Sequence, residues 1–125
     1  MSLVMNIESK MPGCYAIALS GRLDQTTYAD CEARIQPILI PTTKIIMFDM
    51  ANLDYISSMG LRVFLKTRQI IEGRGGSVYM IKMQPQIEKV FEIANLLRGM
   101  KLFASIREAD DYFDAMQREV LESLK

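Results

Sequence analysis

Two adjacent hydroxyls, Ser57 and Ser58, sit in the segment Tyr55-Ile56-Ser57-Ser58-Met59-Gly60-Leu61-Arg62-Val63, shortly after the apolar run Lys44 to Met50. That order reads as a strand followed by a helix. A helix start offers unpaired backbone N–H groups and the positive end of the macrodipole, so it can hold a phosphate, either bound or attached to a serine. The competing structural use is an N-cap, in which a serine oxygen accepts an N–H from two or three residues further on. Arg62 and Lys66 follow Ser58 at intervals of four and would share its helical face, placed to neutralise a phosphate or to meet an acidic surface on a partner. Their alternative is a solvated basic stripe opposite the apolar one. Asp24 and Asp49 are acidic groups at expected strand ends, where turn and cap roles compete with partner binding.

Other chemistries are excluded or disfavoured. The chain has no histidine, which removes the Ser-His-Asp triad together with the commonest general base and metal ligand. Cys14 and Cys31 form no Cys-x-x-Cys pair and read as two buried thiols in a reducing compartment. A serine hydrolase built on Ser58 is therefore not expected, and neither cysteine suggests a metal site. Its 15 basic and 15 acidic residues cancel, unlike the basic footprint of a nucleic-acid binder. No apolar run approaches the roughly 18 residues of a membrane span, and no signal-peptide layout is present. A cytoplasmic location without membrane insertion is expected. The length of 125 residues suits one domain over residues 1–125, with residues 1–3 given no weight.

The elements that must position the serines follow from pattern. Val4 to Ser9 and Tyr15 to Leu23 flank the turn signal Met11-Pro12-Gly13 and read as an antiparallel hairpin. Helical spacing begins at Thr26, with Tyr28, Cys31, Ile35, Ile38 and Leu39 on one face, a Thr27/Asp30 capping box and Pro41 as the stop. Lys44 to Met50 reads as a strand covered on both faces. A second helix carries Gly60, Val63, Phe64, Thr67, Ile70 and Ile71 and ends at Gly73 to Gly76. Ser77 to Met83 is the next strand. Pro85 opens a third helix with Ile87, Val90, Phe91, Ala94 and Leu97 inward and Gly99 as its stop. Leu102 to Ile106 reads as a short strand, and Asp110 to Lys125 as a final helix with Phe113, Met116, Val120 and Leu124 inward. The result is an α/β domain with a mixed, largely parallel sheet and about four helices. In such sheets functional groups collect at the carboxyl ends of strands, which places Asp24, Asp49 and the loop to Ser58 on one rim.

The block Phe48-Asp49-Met50-Ala51-Asn52-Leu53-Asp54-Tyr55-Ile56-Ser57-Ser58-Met59-Gly60-Leu61-Arg62 resembles the signature of STAS domains, the family of bacterial anti-sigma factor antagonists. Gly21-Arg22-Leu23-Asp24 is similar to that family's Gly-Glu-Leu-Asp at the end of an early strand. The resemblance implies a single STAS-like α/β domain and places the phospho-acceptor on Ser58, with Ser57 as second choice. Two positions depart from the family pattern: Ser57 stands where Asp is usual, and Met59 where a second hydroxyl is usual. The resemblance further implies partner switching, with this chain as substrate and ligand and not an enzyme, and with no catalytic residue, metal or cofactor of its own. The unphosphorylated chain would bind an anti-sigma factor that is also a serine kinase, through Asp24, Asp49, Ser57, Ser58, Met59, Gly60, Arg62 and Lys66, and would release it once Ser58 is phosphorylated. An alternative is an unphosphorylated STAS docking subunit of a transport or sensory complex. A receiver-like phospho-aspartate domain using Asp49 is a weaker fit, because no acidic pair follows the first strand.

Overall fold

A computed structural model describes residues 2–96 and 105–125. Four strands form one sheet in the order β1-β2-β3-β4: β1 Leu3–Met11, β2 Cys14–Leu23, β3 Ile45–Ile56 and β4 Ser77–Ile81. The β1/β2 pair is antiparallel, closed by a turn in which Gly13 has a φ of +79°, a conformation open to glycine and strained for other residues. The β2/β3 and β3/β4 pairs are parallel. The helices are α1 Tyr28–Ile35, α2 Ser58–Glu72, α3 Pro85–Leu96 and α4 Ile106–Ser123. This is the expected mixed, mostly parallel α/β domain.

Several boundaries differ from the sequence reading. α1 stops at Ile35 and passes into a short 3-10 turn, Gln36–Ile38, because Pro37 has no N–H with which to continue the α-helix. The Thr27/Asp30 capping box is absent: the Thr27 hydroxyl donates to the Arg22 carbonyl (2.8 Å) and accepts the Asp24 N–H (2.9 Å). β4 ends at Ile81, ahead of Met83, where Lys82 takes a φ of 59°. The expected stop at Leu97 to Gly99 and most of the expected strand Leu102 to Ile106 lie outside the described residues. Ser105 is not in a strand: its hydroxyl caps α4 by accepting the Glu108 N–H (3.1 Å). α4 therefore begins four residues earlier than Asp110, and Leu124 at its end is 60% exposed, not inward.

β3 carries the main correction. It runs beyond Met50 as far as Ile56 and is buried on one face, with Ile46, Phe48 and Met50 inward and Ile45 at 38% exposure on the other face. Its pairing with β2 shifts register twice, between Ala18 and Ser20 and between Gly21 and Arg22. Each shift adds one residue to β3, and an extra residue flips which positions face inward. The buried positions accordingly move from Ile46, Phe48 and Met50 to Leu53 and then to Ile56. No loop separates the strand from the serines.

α2 rests on this strand. Phe64 meets Phe48 edge to face, with ring centroids 4.8 Å apart, and Phe91 of α3 at 5.5 Å. Such geometry adds to the burial of the rings. At its N-terminal end α2 comes so close to β2 that a Cβ on Gly60 would lie 2.7 Å from the Leu23 carbonyl oxygen and 2.8 Å from Leu23 Cγ. Gly60→Ala is expected to lower stability by about 1–2 kcal/mol, the overpacking cost less the helix preference of alanine. Urea denaturation checks this, and an unchanged or raised midpoint would mean that the contact yields freely.

Candidate functional site

Ser57 and Ser58 divide the work at the junction. The Ser57 N–H donates to the Leu23 carbonyl (2.9 Å), still in strand geometry, while its hydroxyl caps α2 by accepting the Gly60 N–H (3.2 Å). The N-cap role thus belongs to Ser57. Ser58 is the first residue of α2, and its N–H donates to Asp110 Oδ1 of α4 (2.8 Å). The other Asp110 oxygen accepts from Gln25 Nε2 (2.6 Å). Ser58 is 0% exposed, and its hydroxyl has no hydrogen-bond partner among the described residues.

Beside Ser57 lies an open cleft of about 440 Å³ lined by Arg22, Asp24, Tyr55, Arg107, Asp110 and Asp111, among others. The Arg22 guanidinium stacks over the Tyr55 ring at 3.9 Å and pairs with Asp24 at 3.5 Å. Partial burial works against the Asp24 carboxylate, but hydrogen bonds from the Thr26 hydroxyl and amide, together with Arg22, outweigh it and hold its pKa below the usual value. Burial and the neighbouring Asp114 carboxylate push the Tyr55 phenol up to about 12, so it stays a neutral donor at physiological pH. The cleft offers cations and carboxylates side by side, a surface suited to polar recognition.

The remaining candidates are more dispersed. Asp49 does not share the rim. It pairs with Ala18 and its carboxylate accepts the Ala51 N–H (3.1 Å), five β2 residues behind the Leu23/Ile56 pair, or roughly 16 Å along the ladder. Lys66 is paired with Glu32 of α1 (3.2 Å), and Arg62 reaches the Met59 sulfur (3.8 Å). Neither lines the cleft; its basic groups are Arg22 and Arg107. Gly60 serves the close contact with Leu23, and Met59 is half-buried. Helical spacing places Arg62 and Lys66 on one face without saying which neighbour engages them. Asp110 and Arg107 come from an element whose start was misplaced, yet Ser105 followed by Glu108 has capping-box spacing and could have located it.

Three glutamines also escaped sequence reasoning. β4 ends opposite Asp49; from there to Ile56 no described strand pairs with the outer edge of β3, and side-chain amides occupy it. Gln84 Nε2 donates to the Ala51 carbonyl (3.0 Å), Gln86 Nε2 to the Asp54 carbonyl (3.0 Å), and Gln117 accepts the Ile56 N–H (3.0 Å) while donating to the Ile56 carbonyl (2.8 Å). Gln117 is 1% exposed, so water cannot replace it. Gln117→Leu is expected to cost about 2–3 kcal/mol by orphaning both Ile56 groups, measured as a fall in the urea midpoint. A loss below the uncertainty of the measurement would mean that the edge relaxes.

A mostly parallel sheet whose third strand ends in a serine-capped helix defines the class, and a family comparison agrees. The STAS domain model matches residues 8–109, and the chain belongs to the STAS domain family. That membership replaces the receiver reading. BtrV of Bordetella bronchiseptica, described as an anti-sigma factor antagonist, is 29% identical over 109 residues, covering 87% of this chain and 90% of BtrV. The anti-sigma-B factor antagonist of Staphylococcus aureus (strain NCTC 8325) is 27% identical over 82 residues, covering 66% of this chain and 76% of that protein. The solved structure of the anti-sigma factor antagonist SpoIIAA in its unphosphorylated form superposes with a TM-score of 0.67 at 21% identity, covering 77% of this chain and 84% of that one; at that identity the likeness concerns the fold. Among the described residues, no helix is long and apolar enough to cross a membrane.

Proposed function

We propose that this chain is an anti-sigma factor antagonist that works by partner switching, with Ser58 as the modified residue. The observation that carries the reading is the position of Ser58, first residue of α2, beside the N-cap Ser57 and the cleft formed by Arg22, Asp24, Tyr55 and Arg107. The partner is an anti-sigma factor with serine kinase activity. In the transfer, Ser58 Oγ bonds to the γ-phosphorus of ATP, the bond to the ADP oxygen breaks, and the hydroxyl proton passes to a base on the kinase. This chain is substrate and ligand, and the kinase supplies the catalytic groups.

Phosphoserine brings about −1.5 to −2 charges to a rim where three carboxylates, Asp24, Asp110 and Asp111, already outnumber two cations, Arg22 and Arg107. Like-charge repulsion and desolvation against an acidic partner surface then oppose docking, and a loss of about 1.4 kcal/mol weakens binding tenfold. A second reading, a docking subunit that never carries phosphate, is favoured by the complete burial of Ser58 and by the engagement of its N–H with Asp110.

Co-purification from the native host with wild type, Ser58→Ala and Ser58→Glu as baits separates the two. The switch requires an ATP-binding anti-sigma factor captured by wild type and by Ser58→Ala but lost with Ser58→Glu, with phosphate mapped to Ser58 by mass spectrometry. Equal capture of a transport or sensory subunit by all three would contradict the switch and support the docking subunit.

A further inference from the structure

Phosphoryl transfer needs the Ser58 hydroxyl in solvent, and in this structure it is sealed. The start of α4 lies against the same residue. Asp110 grips the Ser58 N–H with one oxygen and Gln25 with the other, bridging the segment before α1 to the head of α2. The Ser58 hydroxyl is buried with no partner of its own among the described residues, an expensive state for a group that only packs. The same N–H that Asp110 holds is among those a phosphate at a helix start would use.

We propose that Asp110 is a latch: it holds the first turns of α4 closed over Ser58, and a phosphate on Ser58 displaces its carboxylate and opens that end of α4. This rests on Ser58 as the modified residue. Three features point the same way. The helix start stabilises one anionic group well, and two anions on one N–H repel each other. Asp111 lines the same cleft and Asp114 stands beside Tyr55, paired with Arg118, so the carboxylates that α4 brings to this side outnumber its one cation in the cleft, Arg107. Phe113 and Gln117 are buried further along the helix, the latter bonded to both backbone groups of Ile56, giving α4 a fixed end, while the latched turn packs through the small Ala109 and leaves Arg107 and Glu108 exposed. Asp110 is thus a positioning residue for Ser58 although 52 residues separate them.

Thiol labelling reads the gate without kinase or partner, so it stands or falls separately from the switch. In a Cys14→Ser background, Ser58→Cys is treated with iodoacetamide with and without Asp110→Ala; Cys31, buried and with its thiol pushed up to about 12, stays silent. The introduced thiol is expected to react slowly, and roughly tenfold faster once Asp110 is removed, the factor an ordinary charge-assisted hydrogen bond supports. Equal rates would overturn the latch. Hydrogen exchange of Asp110→Ala with Ser58 intact gives a second reading: faster exchange confined to Ser58 and residues 105–114 supports it. No change, or acceleration spread across β2 and β3, would overturn it.

Discussion

The far end of β3 exposes backbone groups that β4 never reaches, and the position of both serines depends on how those groups are satisfied. On one side Leu23 of β2 accepts the Ser57 N–H; on the other, Gln84, Gln86 and Gln117 stand in for the missing strand. Buried peptide groups left unpaired are costly, so the strand stays extended up to Ile56 and turns into α2 at a fixed point. Gly60 then lets the helix head lie directly on Leu23. Ser57 and Ser58 are held on a rigid corner between strand and helix.

That corner has an electrostatic character of its own. The positive end of α2 attracts an anion, and in the closed arrangement the anion is the Asp110 side chain. The family pattern places an acid at the position of Ser57, but here the carboxylate beside Ser58, the proposed acceptor, arrives from α4. A carboxylate supplied by a separate element can leave with that element, whereas one on the neighbouring residue cannot. In the proposed switch, the charge state of Ser58 would be coupled to the docking of the first turns of α4. Arg22, clamped between Tyr55 and Asp24, keeps the adjacent cleft in one geometry.

The elements legible in the sequence are those with an unbroken local period. The hairpin turn at Met11-Pro12-Gly13, the stripe Val63, Phe64, Thr67 and Ile71 on α2, and the stripe Ile87, Val90, Phe91 and Ala94 on α3 all lie where their spacing indicates. β3 was legible only to Met50, because two register shifts break its alternation and make Leu53 and Ile56 look unrelated to Phe48. α1 was read too long because the apolar spacing of Ile38 and Leu39 masked Pro37. For the site, the serines were visible because a strand, two hydroxyls and a helix are contiguous. Asp110, Gln117 and Arg107 were not, since their contacts cross long separations that no local pattern encodes. Arg62 and Lys66 show the converse: a correct face, with Glu32 and Met59 as the groups that engage them.

The most direct measurement follows the backbone amide of Ser58 by NMR in a chain carrying phosphoserine at position 58, compared with the unmodified chain. The Ser58 amide is expected to lose the signature of its bond to Asp110, with shift changes running along residues 105–114 and little change in β1 or α3. Changes confined to residues 57–60, with α4 undisturbed, would contradict the coupling of Ser58 to α4.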